Sequence, residues 1–132
     1  MIKIRNLATA AISLLAVSAA VIAVPSSASA SGLGTYCATL PEPANLCAEI
    51  ISISTNVVTI RAYPPNYTFY GHFELQTPNH RTLNSITSTW NKGGVGNYFN
   101  NINGGIGNYC VTAWQQHPTG GYSSVGYVCT TA

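Results

Sequence analysis

"NYCVTAWQQHPTGGYSSVGYVC" occupies residues 108–129 and reads as two strand-like runs on either side of a turn. The turn HPTGG carries Pro and Gly, and the flanking runs are rich in Val, Tyr and Thr. A hairpin centred between Thr119 and Gly120 sets Cys110 opposite Cys129. The same register pairs Thr112 with Tyr127 and Trp114 with Val125. The register therefore predicts a β-hairpin closed by a Cys110–Cys129 disulfide.

The two other cysteines of the chain, Cys37 and Cys47, then form the second predicted bridge. Four cysteines allow three connectivities, and the sequence leaves the other two open. A zinc site is not indicated, because the chain has no CxxC or HxxxH spacing. An even cysteine count is typical of a disulfide-stapled secreted domain.

The hairpin has two candidate core faces. One carries Thr112, Trp114, Val125, Tyr127 and the disulfide, and the other carries Tyr109, Val111, Ala113, Ser124 and Val128. Trp is mostly buried in small domains, which favours the face with Trp114 as core. The alternative leaves Trp114 and Tyr127 exposed, as an aromatic platform of the kind that carbohydrate-binding modules use.

FYGHFELQ, residues 69–76, alternates between apolar and polar positions as a half-buried strand does. Its apolar positions predict that Phe73 is buried and His72 is not. The polar row is Tyr70, His72, Glu74 and Gln76. Such a row is usually the solvated face of an antiparallel strand, and its functional interpretation is a face that binds a sugar or a peptide.

Two further hairpins are predicted. One turns at Thr55-Asn56 and pairs Ile53 with Val58 and Ile51 with Ile60. The other turns at Asn103-Gly104, a strong two-residue turn signal. It pairs Tyr98 with Tyr109, which would explain the near-repeat of GVGNY and GIGNY as a cross-strand tyrosine pair.

Seven strand-like segments joined by Gly, Pro and Asn turns predict an all-β fold, a small antiparallel β-sandwich that is immunoglobulin-like in broad architecture. The immunoglobulin pattern is imperfect, because Tyr109 directly precedes Cys110 instead of standing two residues before it. A small β-barrel is the alternative.

The N-terminus predicts export. Lys3 and Arg5 precede an uncharged apolar stretch over residues 7–24, and Ala28-Ser29-Ala30 offers a small-x-small cleavage site. This layout is typical of a secretory signal peptide, with a membrane anchor as the alternative. We expect residues 1–30 to be removed, and residues 31–132 to form a single secreted domain without a membrane attachment.

The charge distribution argues against nucleic acid as a partner. The formal net charge of +2 lies in the leader, because Arg61, Arg81 and Lys92 balance the three glutamates Glu42, Glu49 and Glu74 in the remaining chain. No basic patch is therefore predicted for nucleic acid.

No catalytic set is recognisable either. The chain has no Asp and no GxSxG motif, and both predicted bridges consume the thiols. Only Glu49 and Glu74 could form a carboxylate pair, and Glu74 is expected to pair with Arg61. Three scattered histidines, His72, His80 and His117, do not suggest a metal site. We predict a protein that is not an enzyme and needs no cofactor or metal.

YGHFELQTPN, NYCVTAWQQ and GYSSVGYVC, behind an Ala-rich leader ending in ASA, resemble small secreted proteins of filamentous Gram-positive soil bacteria. The resemblance covers roughly residues 63–129. It implies secretion and a compact β domain, and it carries over no activity and no functional residue.

Three functions remain as hypotheses for a secreted monomer. The first is a binding or envelope-associated domain for cell-wall or environmental polysaccharide, with Tyr70, His72, Glu74, Gln76, Trp114 and Tyr127 as candidate ligand contacts. The second is an inhibitor of secreted hydrolases that uses the loop between Cys37 and Cys47. The third is a surface coat protein that assembles through sheet edges.

Overall fold

The computed structural model describes residues 33–38 and 45–132. The predicted leader and most of the loop between Cys37 and Cys47 lie outside these residues. The described residues form nine strands and no helix: β1 (Thr35–Cys37), β2 (Cys47–Ser54), β3 (Val57–Tyr63), β4 (Phe69–Gln76), β5 (Thr82–Asn84), β6 (Ser88–Trp90), β7 (Asn97–Ile102), β8 (Asn108–Gln116) and β9 (Tyr122–Thr131). They contain no helix that could cross a membrane.

The strands pair into two antiparallel sheets. The first sheet has the order β1-β2-β3-β7, and the second has the order β5-β4-β8-β9. β6 also pairs with β4, so that β5 and β6 share one edge of that strand. Within the described residues neither sheet closes on itself. The predicted β-sandwich is therefore confirmed, and the alternative of a closed barrel is wrong.

The chain crosses between the sheets after β3, after β6 and after β7. This places β2, β3 and β7 in one sheet and the neighbours β4, β8 and β9 in the other. The same connectivity relates strands A, B and E to strands C, F and G in immunoglobulin-like sandwiches. The prediction of an immunoglobulin-like architecture is confirmed at this level.

The core lies between the sheets, and the predicted alternation of β4 supplies much of it. Phe73 and Leu75 are fully buried, and Phe69 is nearly so. Phe73 packs edge-on against Phe69, with ring centroids 5.5 Å apart. Beside them in the same sheet lie Tyr109, Val111 and Ala113 of β8, and the main core residues of the facing sheet are Ile50, Val58, Ile60, Ala62 and Phe99.

The predicted Asn103-Gly104 hairpin is wrong. β7 pairs with β3 in the first sheet, so Tyr98 and Tyr109 belong to different sheets. Residues 103–107 instead carry the chain across the sandwich. Gly105 and Gly107 adopt the positive φ angles of this connection, at 81° and 138°.

Burial of Tyr109 explains why no hairpin forms at Asn103-Gly104. Tyr109 is fully buried at the start of β8, and its hydroxyl donates a hydrogen bond of 2.7 Å to the Gly105 carbonyl. Gly104 lies against the ring, because a Cβ there would stand 2.7 Å from the tyrosine hydroxyl oxygen. The contact has the character of the tyrosine corner of immunoglobulin-like domains, which fixes the crossing into the corresponding strand.

The β2–β3 hairpin is confirmed in part. Ile53 lies opposite Val58 as predicted, but Ile60 lies opposite Ile50 instead of Ile51. An irregularity between Ile50 and Ser52 shifts the register by one residue. As a result, Ile50 enters the core and Ile51 is exposed.

Both predicted disulfides are present, and each joins residues that lie directly opposite on neighbouring strands. The predicted Glu74–Arg61 pair is wrong, because those residues belong to different sheets. Arg61 pairs with Glu49 at 3.2 Å and donates to the carbonyls of Val95 and Gly94. It thereby fastens the loop that leads into β7.

Candidate ligand-binding face

The candidate residues lie on the outer surface of the second sheet. Since Phe69, Phe73 and Leu75 fill the core, the alternate positions of β4 face away from it. These are the four residues of the predicted polar row: Tyr70, His72, Glu74 and Gln76. Tyr70 is 52 % exposed, and His72 and Glu74 are half-buried.

The strand register places this row on the same surface as Trp114 and Tyr127, the second pair of candidate residues. β4 pairs with β8 so that His72 lies directly opposite Trp114 and Glu74 lies opposite Thr112. Thr112 in turn lies opposite Tyr127 on β9. The two predicted surfaces, one around His72 and one around Trp114, are therefore a single surface.

The expectation that Trp114 belongs to the core is wrong. The core face of β8 carries Tyr109, Val111 and Ala113, all fully buried, and Val128 of β9 lies beside them. Trp114 is half-buried on the opposite face, and Tyr127 is 55 % exposed there. The buried Tyr109 provides the bulky core aromatic that was expected at Trp114.

A β-bulge adds an aromatic residue, Tyr122, that is not among the residues predicted from the sequence. Ala113 pairs with Gly126, but the next residue, Trp114, pairs with Ser124, so Val125 is an extra residue in β9. Successive residues of a regular strand alternate between faces, which would put Tyr122 and Tyr127 on opposite sides. The extra residue brings both to the same side, and bulges commonly re-aim side chains in this way.

Tyr122 completes a cluster that we name the aromatic face. Its ring stands edge-on to the His72 ring at a centroid distance of 4.9 Å, and it is 46 % exposed. The members of the aromatic face are Tyr70, His72, Trp114, Tyr122 and Tyr127. Two buried nitrogens of the cluster, His72 Nδ1 and Trp114 Nε1, have no hydrogen-bond partner among the described residues.

The backbone beneath the aromatic face is closely packed. A Cβ on Gly71 would stand 1.8 Å from the carbonyl oxygen of Trp114, so only glycine fits there. Trp90 Nε1 donates a hydrogen bond of 2.9 Å to the Gly71 carbonyl. Ser85 lies between β5 and β6 on the edge of β4, and its hydroxyl accepts a hydrogen bond of 2.9 Å from the Phe73 amide. These contacts hold the strands that carry the aromatic residues.

The disulfide Cys110–Cys129 belongs to the same outer surface. It lies one alternate position beyond Thr112 and Tyr127 on the paired strands β8 and β9. The Tyr127 hydroxyl stands 3.1 Å from Cys129 Sγ. The bridge therefore joins the two strands next to an exposed tyrosine of the aromatic face.

A cleft adjoins each end of this surface. The first, with a volume of about 380 Å³, is lined by Tyr70, Gln115, Gln116, His117 and Pro118. Gln115 is held by a hydrogen bond of 2.7 Å from the Tyr67 hydroxyl to its side-chain oxygen. Tyr70 thus belongs both to this cleft and to the aromatic face.

We name the second cleft, at the Gln76 end of β4, the arginine cleft. It has a volume of about 230 Å³ and is lined by Gln76, Thr77, His80, Arg81 and Thr82. Gln76 pairs with Thr82 at the base of the β4–β5 hairpin. Gln76 belongs to the polar row predicted from the sequence, whereas no role is predicted there for His80 or Arg81.

The two side-chain carboxylates among the described residues, Glu49 and Glu74, lie in different sheets. Glu49 lies on β2 in the first sheet, where it pairs with Arg61, and Glu74 lies on β4 in the second sheet. Among the described residues, no group of three or more His, Cys, Asp or Glu side chains could hold a metal ion. The groups on the outer surface suit stacking and hydrogen bonding.

The sequence matches no protein-family model, and neither a curated protein nor a solved structure matches it.

Proposed function

We propose that this chain is a secreted, non-catalytic glycan-binding protein whose ligand lies on the aromatic face. One observation carries the proposal: the sheet register and the β9 bulge gather Tyr70, Tyr122 and Tyr127 around the His72–Trp114 pair on one outer surface. A set of half-exposed aromatic rings on a single surface of a small domain is a binding feature.

Sugar rings fit the chemistry of this surface. Their apolar C–H faces stack on tyrosine and tryptophan rings, and their hydroxyls need donors and acceptors beside the rings. Glu74, Gln76 and Gln116 provide such groups on the same strands. The cleft beside Tyr70 extends the surface and gives room for further sugar units along the strand.

Two features support action outside the cell. The two disulfides suit an oxidising compartment, where such bridges persist. The N-terminal leader pattern is the second support. Cell-wall or environmental polysaccharide is accordingly the ligand class that we propose.

Retention on insoluble polysaccharides tests the proposal. The experiment uses oxidised protein of residues 31–132 with purified cell wall, chitin and cellulose. Tyr122→Ala and Tyr127→Ala should each weaken retention at least about fivefold, since a stacked aromatic contributes about 1 kcal/mol. Tyr98→Ala is the matched control, because Tyr98 is 42 % exposed but lies on the first sheet.

The result also separates the other hypotheses. The proposed binding at the aromatic face is contradicted if Tyr98→Ala loses retention, or if Tyr122→Ala and Tyr127→Ala both keep it in full. An inhibitor would instead bind a hydrolase and lose this binding when residues 38–46 are replaced. A coat protein would show concentration-dependent assembly by light scattering.

A further inference from the structure

The arginine cleft is lined by hydrogen-bond donors. Its lining residues include one arginine, one histidine, one glutamine and Thr82, and no carboxylate is among them. The hydroxyl of the fifth lining residue, Thr77, is engaged with Asn79 and the Arg81 amide. Such a set suits an oxyanion, because Arg presents several N–H donors in a planar fork that matches carboxylate and phosphate oxygens.

The Arg81 guanidinium is available for a ligand. Among the described residues its side chain has no ion-pair or hydrogen-bond partner, whereas its main chain bonds to Thr77. Arg61 provides the contrast, since Glu49 and the carbonyls of Val95 and Gly94 occupy its guanidinium. The Arg61 side chain serves the fold, whereas the Arg81 side chain makes no such bond to the described residues.

The loop that presents Arg81 is held by its own hydrogen bonds. The Thr77 amide donates to the Arg81 carbonyl at 3.0 Å, and the Arg81 amide donates to the Thr77 hydroxyl at 3.0 Å. The His80 amide donates to the Thr77 carbonyl at 2.9 Å, and Asn79 Nδ2 reaches the Asn103 carbonyl at 3.3 Å. A pre-ordered loop loses little entropy when a ligand binds.

His80 occupies a backbone conformation that suits glycine better. Its φ angle is 62°, in the left-handed region where a side chain costs about 1 kcal/mol or more. His80 nevertheless lines the cleft. A residue that keeps a costly conformation at a polar cleft is consistent with a role for its side chain.

We infer that the arginine cleft binds an oxyanion of the polysaccharide that lies on the aromatic face, which makes the ligand an acidic glycan. This inference rests on the proposed function. Gln76 connects the two regions, because it ends the outward row of β4 and also lines the cleft. The oxyanion is a uronate carboxylate or a phosphodiester, since both offer the oxygen pair that a guanidinium binds.

Glu74 fixes where the anion lies. It is the one carboxylate on the outward row of β4 and stands one alternate position before Gln76. Like charges repel at short range, so an anion above Glu74 is disfavoured. The oxyanion therefore belongs beyond Gln76, beside Arg81 and His80, with neutral sugar units over the aromatic residues.

Binding of oligogalacturonate, compared with its methyl ester, tests the inference, because the ester removes the charge and keeps the sugars. Calorimetry at about 50 mM salt should show that the acid binds wild-type protein about tenfold more tightly than the ester, as expected for one charge-assisted contact. A glycerol-phosphate polymer forms the second arm. The arm that binds more tightly identifies the carboxylate or the phosphodiester as the source of the oxyanion.

Two variants that each remove one positive charge provide the control. Arg81→Gln should weaken binding of the acid about tenfold and leave the ester unchanged. Lys92→Gln should change neither by more than about twofold, since Lys92 is exposed near the Phe69 end of β4, roughly 20 Å along the strand. Equal losses in both variants, or equal affinity for the acid and the ester, would overturn the inference.

A titration with glucuronate monosaccharide separates this inference from the proposed function. Backbone amide NMR signals of residues 76–82 should shift in the wild type and not in Arg81→Gln. If these signals shift but no polysaccharide is retained, the anion site stands and the glycan proposal fails. If neutral polysaccharide binds and these signals do not move, the anion site is wrong and the glycan proposal stands.

Discussion

His72 on β4 lies directly opposite Trp114 on β8, and the two residues form the centre of the outer surface of the second sheet. Tyr122 packs edge-on against the His72 ring from β9. Three strands thus contribute to one cluster, whose geometry depends on the register of the sheet. Perturbations of that register should therefore affect both stability and binding.

Gly71→Ala should be strongly destabilising. The added Cβ would collide with the Trp114 carbonyl, which is backbone and has little freedom to move. We expect a loss of about 3 kcal/mol or more in the free energy of unfolding, as for other core clashes. Chemical denaturation measures this value.

Gly120→Ala is the control for that substitution. Gly120 has a φ angle of 95° but open space around its Cβ position, so only backbone strain opposes alanine. A cost of about 1 kcal/mol is expected. Equal costs at the two positions would mean that the close approach of β4 and β8 at Gly71 is not as described.

Tyr109→Phe should reduce stability by about 1 kcal/mol at neutral pH, because it removes the hydrogen bond to the Gly105 carbonyl. Burial raises the pKa of Tyr109, and a backbone hydrogen bond at Gly104 offsets this in part. The fold therefore favours the neutral phenol. This contribution is complete below the unfolded-state pKa of about 10 and is lost as the pH rises through the folded-state pKa.

Wild-type protein should consequently lose stability more steeply above about pH 10 than Tyr109→Phe does. Urea denaturation at several alkaline pH values measures the slope. Tyr98→Phe, on the exposed surface of the first sheet, should keep the wild-type slope. Parallel curves for wild type and Tyr109→Phe would contradict the assigned role of Tyr109.

Phe73→Ala and His72→Ala compare neighbouring residues on opposite faces of β4. Phe73 is fully buried and contacts Phe69 and Trp90, so its truncation should cost about 3–5 kcal/mol. His72→Ala should cost about 1 kcal/mol, because the half-buried ring loses its edge-on contact with Tyr122. Thermal unfolding provides the comparison, and similar losses would indicate a different orientation of the strand.

The sequence predicts those parts of the fold in which local pattern and core burial agree. The alternation of residues 69–76 and the opposed cysteines Cys110 and Cys129 both satisfy the final packing, and both predictions are confirmed. The Asn103-Gly104 signal fails because a turn there would draw β7 into the second sheet. The fold instead buries Tyr109 and pairs β7 with β3.

The candidate surface could be predicted only in pieces. Tyr70, His72 and Trp114 are visible in the sequence, but their common surface depends on the β4–β8 pairing, a long-range contact. Tyr122 could not be assigned, because the bulge at Val125 reverses the alternation on which such an assignment depends. In the sequence, Arg81 and His80 are ordinary loop residues. The β4–β5 hairpin brings them beside Gln76.

The indole N–H signals of the two tryptophans test the central claim most directly, because one spectrum contains both the probe and its control. Trp114 Nε1 lies within the aromatic face, and Trp90 Nε1 is bonded to the Gly71 carbonyl at 2.9 Å. Titration with a soluble fragment of the polysaccharide that retains the protein should move the Trp114 signal and leave the Trp90 signal in place. An unmoved Trp114 signal at saturating ligand would contradict binding at the aromatic face.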